Sequence, residues 1–250
     1  MKRILNSVFI VLLIYACMLN HSISADNKTD AAYFKEANEF YKKGDYQNAL
    51  TNYYKINGKT FTVYFNMGNC YAKLNKKGYA LYFYKTAKNI APRNERINAN
   101  INIIRATRND KFDSKKNALT ALCEQIVNSY SLRGSFILVS IFLWVLCILA
   151  CFRLFYKNKI LNVLLIINAV AFISAAPFFA AKILENDEAV LIENNVKLRS
   201  EPLVESTELA HLNEATEAKI LSYTDNWIEV IVADSHKGWL SKKSLLIIKK

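Results

Sequence analysis

Two uncharged apolar runs, Ser135–Phe152 and Ile160–Ala181, follow one another with only a short basic link between them. A hydrocarbon core of ~30 Å takes about 20 apolar residues to cross as a helix, and both runs are of that order. A single core helix of a soluble protein can be this apolar. Two in tandem with charged flanks are the pattern of a transmembrane hairpin, with spans expected at 133–153 and 160–182. A hairpin leaves whatever precedes and follows it on one side of a membrane.

Charge predicts which side. Arg153, Lys157 and Lys159 lie in the link, which carries no acid, and cytoplasmic loops are rich in Lys and Arg. The tip is therefore expected in the cytoplasm and both flanks outside it. The start of the chain agrees. Lys2 and Arg3 precede the apolar stretch Val8–Leu19, and Ser22, Ser24 and Ala25 follow. This is the layout of a signal peptide over 1–24, cut after Ser24 or Ala25. Lipoprotein processing at Cys17 is the alternative, although Tyr15 is bulky for such a site. An uncleaved anchor would give the same topology.

The water-soluble segments, roughly 25–131 and 182–250, are each large enough for a small core. Residues 25–131 hold 18 Lys and Arg against 9 Asp and Glu; residues 182–250 hold 9 against 12. A nucleic-acid reader would gather its basic charge beside base-reading elements. Here the basic segment is expected to be exported, so no nucleic-acid partner is expected. A solvated face, or attraction to anionic headgroups or an acidic partner, accounts for it. Among the five cysteines, Cys17 falls in the signal and Cys147 and Cys151 in the first span, which leaves Cys70 and Cys123. Cys70 lies on an apolar helical face and reads as a small buried residue. No CxxC or Cys/His metal spacing occurs. His21, His211 and His236 pair with no nucleophile in a known motif. The expectation is a chain without catalytic residues, metal or cofactor.

Residues 31–56 and 62–91 share a pattern. The first has Tyr33, Ala37, Phe40, Gly44, Ala49 and Tyr53. The second has Tyr64, Gly68, Tyr71, Asn75, Ala80, Tyr84, Ala87 and Pro92. Gly68 and Ala80 leave room for a neighbouring helix, and Tyr71 and Tyr84 fill it. This resembles the tetratricopeptide repeat, and a repeat domain is expected over 25–110. The offset is 31 residues rather than 34, so the linker at 57–60 is short. Two repeats fall below the three that usually make a stable stack. Glu95–Thr107 is expected to supply a further helix, with Ile97, Ile101 and Ile104 covering the open face. Leu119, Leu122, Ile126, Val127 and Tyr130 then mark a juxtamembrane amphipathic helix over 111–131. In such repeats the first helix of each pair lines a groove. Asn38 and Lys42, then Asn69 and Lys73, match those positions. An Asn could hold a peptide backbone and a Lys a carboxylate. A plain solvated face in an Asn- and Lys-rich chain is the alternative.

Residues 188–250 read as short strands at Ala189–Ile192, Val196–Arg199, Glu208–Leu212, Glu217–Tyr223, Trp227–Val232 and Lys237–Leu240, separated by turn-prone residues. The segments Val196–Pro202, Asn226–Val230 and Lys237–Leu240 resemble the bacterial SH3 domain, a small β-barrel. That family often has Gly where this chain has Ala215 and Ser235. The resemblance implies a peptide or cell-wall ligand, for which Tyr223, Trp227 and Trp239 could form an aromatic platform. The alternative, favoured on sequence, is that both tryptophans are packing residues, Trp239 tucked into the core beside a Gly238 turn.

The fold class expected is thus multidomain: α-helical repeats, a two-helix membrane hairpin and a β-barrel. The order of signal, repeats, hairpin and SH3-like barrel resembles the BatE family of aerotolerance-associated proteins. The resemblance implies an inner-membrane complex with von Willebrand A-type proteins and a MoxR-type AAA+ ATPase. It implies a scaffold or assembly role through protein partners. A cell-wall anchor or sensor, gripping peptidoglycan or peptide through the barrel, is the second reading.

Overall fold

The computed structural model describes residues 27–108, 122, 126–127, 129–156, 158–233 and 235–249. The expected signal over 1–24 with Cys17, most of 111–131 with Leu119 and Cys123, and Lys157 lie outside the described residues. The chain divides after Gly58 into two units.

The first unit is a helical hairpin of α1 (Asn27–Lys42) and α2 (Tyr46–Lys55). Gly44 makes the turn at φ +81°, a conformation that glycine adopts without steric cost. Asp45 then caps α2, its Oδ1 accepting from the Asn48 N–H at 3.2 Å. Ala37, Ala49, Leu50 and Tyr53 are buried. After α2 the chain folds back. The Asp30 carboxylate accepts from the backbone N–H groups of Asn57 at 3.1 Å and Gly58 at 2.9 Å.

The second unit opens with α3 (Phe61–Lys73), α4 (Lys77–Ile90) and α5 (Glu95–Ala106). Asn75 turns α3 into α4 at φ +56°. It stands where Gly44 stands in the first hairpin, and Asn is the next residue type to enter this region readily. Gly68 lies under the Tyr84 ring: a Cβ there would come within 2.6 Å of it. The expected reason for a glycine, close helix approach filled by a tyrosine, is what the packing shows. Asn94 caps α5 through its Oδ1, which accepts from Arg96 and Ile97 N–H groups. Ile97, Ile101 and Ile104 are buried on the side facing α4, as expected.

Two long antiparallel helices follow, α6 (Leu132–Phe155) and α7 (Lys159–Ile183). Their most apolar windows have mean hydropathy 2.8 and 2.3, with few side chains buried. Both are long and apolar enough to cross a membrane. At the tip, Arg153 donates to Asn162 Oδ1. Pro177 sits inside α7 and removes one backbone donor there.

Seven strands complete the unit: β1 (Glu188–Leu191), β2 (Val196–Arg199), β3 (Glu208–Leu212), β4 (Glu217–Tyr223), β5 (Trp227–Val232), β6 (His236–Ser241) and β7 (Leu245–Ile248). Six were expected within a residue of these limits, and β7 was not. They form one open antiparallel sheet in the order β3-β2-β6-β5-β4-β1-β7, with β3 and β7 at its edges. Leu191, Leu198, Leu212, Ile220, Val230, Leu240 and Leu245 come from all seven strands into one apolar cluster. Gly238 is a strand residue of this core, not a turn. A Cβ on it would meet the Arg199 carbonyl at 2.7 Å and Leu198 Cγ at 2.8 Å. Two strands approach closely there, as an interior strand glycine permits.

Strand β1 is apolar on both faces. Ala189 and Leu191 enter the sheet's core, whereas Val190, with Ile248 of β7, joins Leu81, Tyr84 and Ile101 of the helices. Segments on either side of the long apolar pair in sequence thus share a core. The Leu132 end of α6 and the Ile183 end of α7 lie on one side, as antiparallel pairing requires.

Candidate functional site

The sheet is fixed to the helices by a set of charges around this shared core. Cross-strand register puts Val190 opposite Glu217 and Glu188 opposite Ile248, so both carboxylates flank the apolar contact. On α4, Gly78, Leu81 and Lys85 follow helical spacing along one face. Lys85 Nζ meets Glu217 Oε2 at 2.5 Å and also pairs with Glu188. Arg105 of α5 holds the same Glu217 with two N–H groups, at 2.6 and 2.8 Å. Burial disfavours both charged forms, but the partners outweigh it. Glu217 titrates far below the usual carboxylate range and Lys85 above the usual lysine range.

A second tie lies two turns earlier. Lys76, at the start of α4, makes no side-chain cap. The Gly78 N–H instead donates to Glu214 Oε1 at 2.8 Å, a carboxylate delivered from the sheet to a helix N-terminus. Only a glycine fits there, since a Cβ would collide with the Leu191 carbonyl. Ala215 beside it has φ +66°, which costs an alanine about 1 kcal/mol or more. Its methyl is buried among the helical residues, an offset of the same order. That burial is a physical reason for an alanine at a left-handed position.

The expected groove residues separate into two kinds. Asn38 Oδ1 accepts from the Tyr53 hydroxyl at 2.6 Å. Asn69 Oδ1 accepts from the Tyr84 hydroxyl at 2.8 Å and from Asn100 Nδ2 at 3.1 Å. Both asparagines therefore spend a carboxamide oxygen on their own hairpin. Lys42 and Lys73 are exposed at equivalent places, the ends of α1 and α3.

The expected platform is brought together only in part. In β5 the side chains of Ile228, Val230 and Val232 turn inward, and in β6 the buried positions are Gly238 and Leu240. Alternation sends Trp227 and Trp239 to the other face. The register pairs Trp227 with Ser241 and Glu229 with Trp239, so the two indoles are diagonal neighbours. Tyr223 is opposite the inward-facing Ile228 and bonds to Asp187 at 3.0 Å. It belongs to the other face. The expectation that Trp239 packs in the core is corrected: its neighbours in the strand do so, and it is half-buried outside. Cys70 is buried, as expected, and burial pushes its thiol pKa up to about 12.

The Glu217 network was missed in sequence. Its one visible signal was the charge imbalance, basic before the hairpin and acidic after it. Compared with protein-family models and with curated proteins, the chain matches none.

Proposed function

We propose that this chain is a membrane-anchored interaction scaffold whose helical repeats receive a protein partner. The observation that carries the reading is the repetition of one device at a spacing of 31 residues. An Asn–Tyr bond and a left-handed turn recur at Asn38, Gly44 and Tyr53, then at Asn69, Asn75 and Tyr84. Each copy ends its first helix with an exposed lysine, Lys42 or Lys73. Repeated helical hairpins of tetratricopeptide type use such faces for peptides, and the lysines suit an acidic one. The helices are also fixed to the sheet through Lys85 and Glu217, and Arg93 reaches the start of α6 through the Ser129 carbonyl at 3.1 Å. A load on α3–α5 would therefore pass to the α6–α7 pair. The BatE-type resemblance supports the same role, in an inner-membrane complex with von Willebrand A-type proteins, with repeats and sheet outside the cytoplasm.

The test has two parts. Replacing Lys42 and Lys73 with Glu should reduce partner recovery from detergent extracts while helicity is unchanged. Full recovery would end this reading. Cysteines placed at Asn226, and not at Asn158, should react with an impermeant reagent in spheroplasts. The reverse pattern would invert the topology.

A second reading rests on the shared outer face of Trp227 and Trp239. Two half-exposed indoles on an SH3-like sheet suit a cell-wall peptide or glycan. Sedimentation with purified cell wall, lost when both are replaced by Ala, would favour it.

A further inference from the structure

A cleft of about 650 Å³ lies where the helices, the sheet and the ends of the membrane pair meet. Seven Lys and Arg side chains line it against one carboxylate, Glu188. Neighbouring acids compensate some of them. Glu188 and Glu217 hold Lys85, Glu217 holds Arg105, and Glu185 holds Lys182 at 2.8 Å. Lys88, Arg133 and Lys249 form no ion pair among the described residues, and Glu188 and Glu217 reach Lys88 only at longer range.

Lys88 is the most telling of the three. It is half-buried, and burial, then Arg105 and Lys85, hold its ammonium below the ordinary lysine range, with Glu188 and Glu217 offsetting only part of this. A cation kept partly out of water beside two others is a standing cost unless an anion relieves it. The position of the cleft says which anion. Arg133 is in the first turn of α6 and Lys182 in the last turn of α7, so an occupant sits at headgroup depth. Phe61, Ile90 and Leu132 also line the cleft, giving apolar surface beside the charge.

The geometry points to a binding site for the phosphate of an anionic phospholipid headgroup, held by Lys88, Arg133 and Lys249 at the outer ends of α6 and α7. A free phosphate shares that chemistry, but it would leave the apolar lining unused. The inference rests on the membrane placement of α6 and α7 and not on the scaffold role. The labelling of Asn158 and Asn226 tests that placement separately.

The experiment is native mass spectrometry of the full chain released from detergent, with phosphatidylglycerol, phosphatidylcholine and inorganic phosphate as probes. Phosphatidylglycerol should be retained, and phosphatidylcholine should not. Each charge near a membrane surface changes affinity about fivefold. Arg133→Gln, at an exposed residue, should lose that factor, and Lys88→Gln with Arg133→Gln about 25-fold. Lys88→Arg should keep wild-type retention. Equal retention of the two lipids, or undiminished phosphatidylglycerol binding by the double variant with its circular dichroism unchanged, would overturn the site. Displacement of the lipid by millimolar inorganic phosphate would overturn the lipid as its source.

Discussion

The Tyr84 hydroxyl donates to Asn69 Oδ1 at 2.8 Å across the α3–α4 hairpin, the same bond that Tyr53 makes to Asn38 thirty-one residues earlier. It fixes the tyrosine ring over Gly68, where a side chain would collide. One polar contact thus decides how near two helices lie.

Tyr84→Phe should keep the ring and lose only the bond, at a cost of about 1 kcal/mol. Gly68→Ala gains about 1 kcal/mol in helix propensity but meets an anchored ring, at about 1–3 kcal/mol. The collision should win, giving a net loss in thermal unfolding of the full chain in detergent. Combining Gly68→Ala with Tyr84→Ala should cost less than the sum of the two. Strict additivity would show that the ring is not what the methyl strikes.

The Glu217 network should make the helix–sheet contact acid-sensitive. A carboxylate whose pKa is depressed on folding stabilises above its unfolded value, near 4.5, and loses that stability as pH falls toward the folded value. Lys85 has the opposite sign: its raised pKa is a contribution present below about 10.5 and lost only above it. Stability should therefore be flat in this respect between those limits and fall below pH 4.5. Glu217→Gln should remove about 3 kcal/mol at neutral pH, most of it through the buried Lys85 rather than the more exposed Arg105. It should also flatten the acid limb. Unfolding scans across pH would show either result.

Trp239→Ala should cost about 1 kcal/mol, well short of the ~3–5 kcal/mol of a core tryptophan. Its neighbour should be worse. Gly238→Ala pushes a methyl into Leu198 and the Arg199 carbonyl and should cost about 1–3 kcal/mol. Thermal unfolding of the two variants ranks them, and the reverse order would put the indole back in the core.

Cys70, with its thiol pushed up to about 12 and buried, should resist maleimide in a chain whose other cysteines are replaced by serine. Labelling should appear on unfolding in denaturant. Rapid labelling of the native chain would show that the α3–α4 hairpin opens.

The elements were legible because their signals are local. A short β-type stretch between turn-prone residues marked Trp227–Val232, Ile97, Ile101 and Ile104 marked the covering face of α5, and length and hydropathy marked α6 and α7. The face chosen by Trp239 was also local, set by Leu240 next to it. The prior that tryptophan is buried obscured it. Strand β7 was hidden because Leu245–Ile248, a run of four apolar residues, has no period of two. It lies between the sheet's core and the helices. Beyond the charge imbalance between the two segments, the Glu217 network and the Glu214 cap could not be read. Each joins groups more than a hundred residues apart, and a lone Glu in a polar turn looks like solvent-facing charge. Asn38 and Asn69 could be picked out as a repeated pair, but which atoms their oxygens face is a matter of tertiary geometry.

The shared core of Val190, Ile248 and the α4–α5 face imposes an order on biosynthesis. The helices are made first, but the strands that cover them follow only after α6 and α7 have been synthesised. In the interval Leu81, Tyr84 and Ile101 lack part of their apolar cover, and α4 lacks its Glu214 cap. Such a face is a place for premature association. A chain stalled between α7 and β7 would present it for as long as the stall lasts, so the α4–α5 face is complete only once the strands beyond α6 and α7 have arrived.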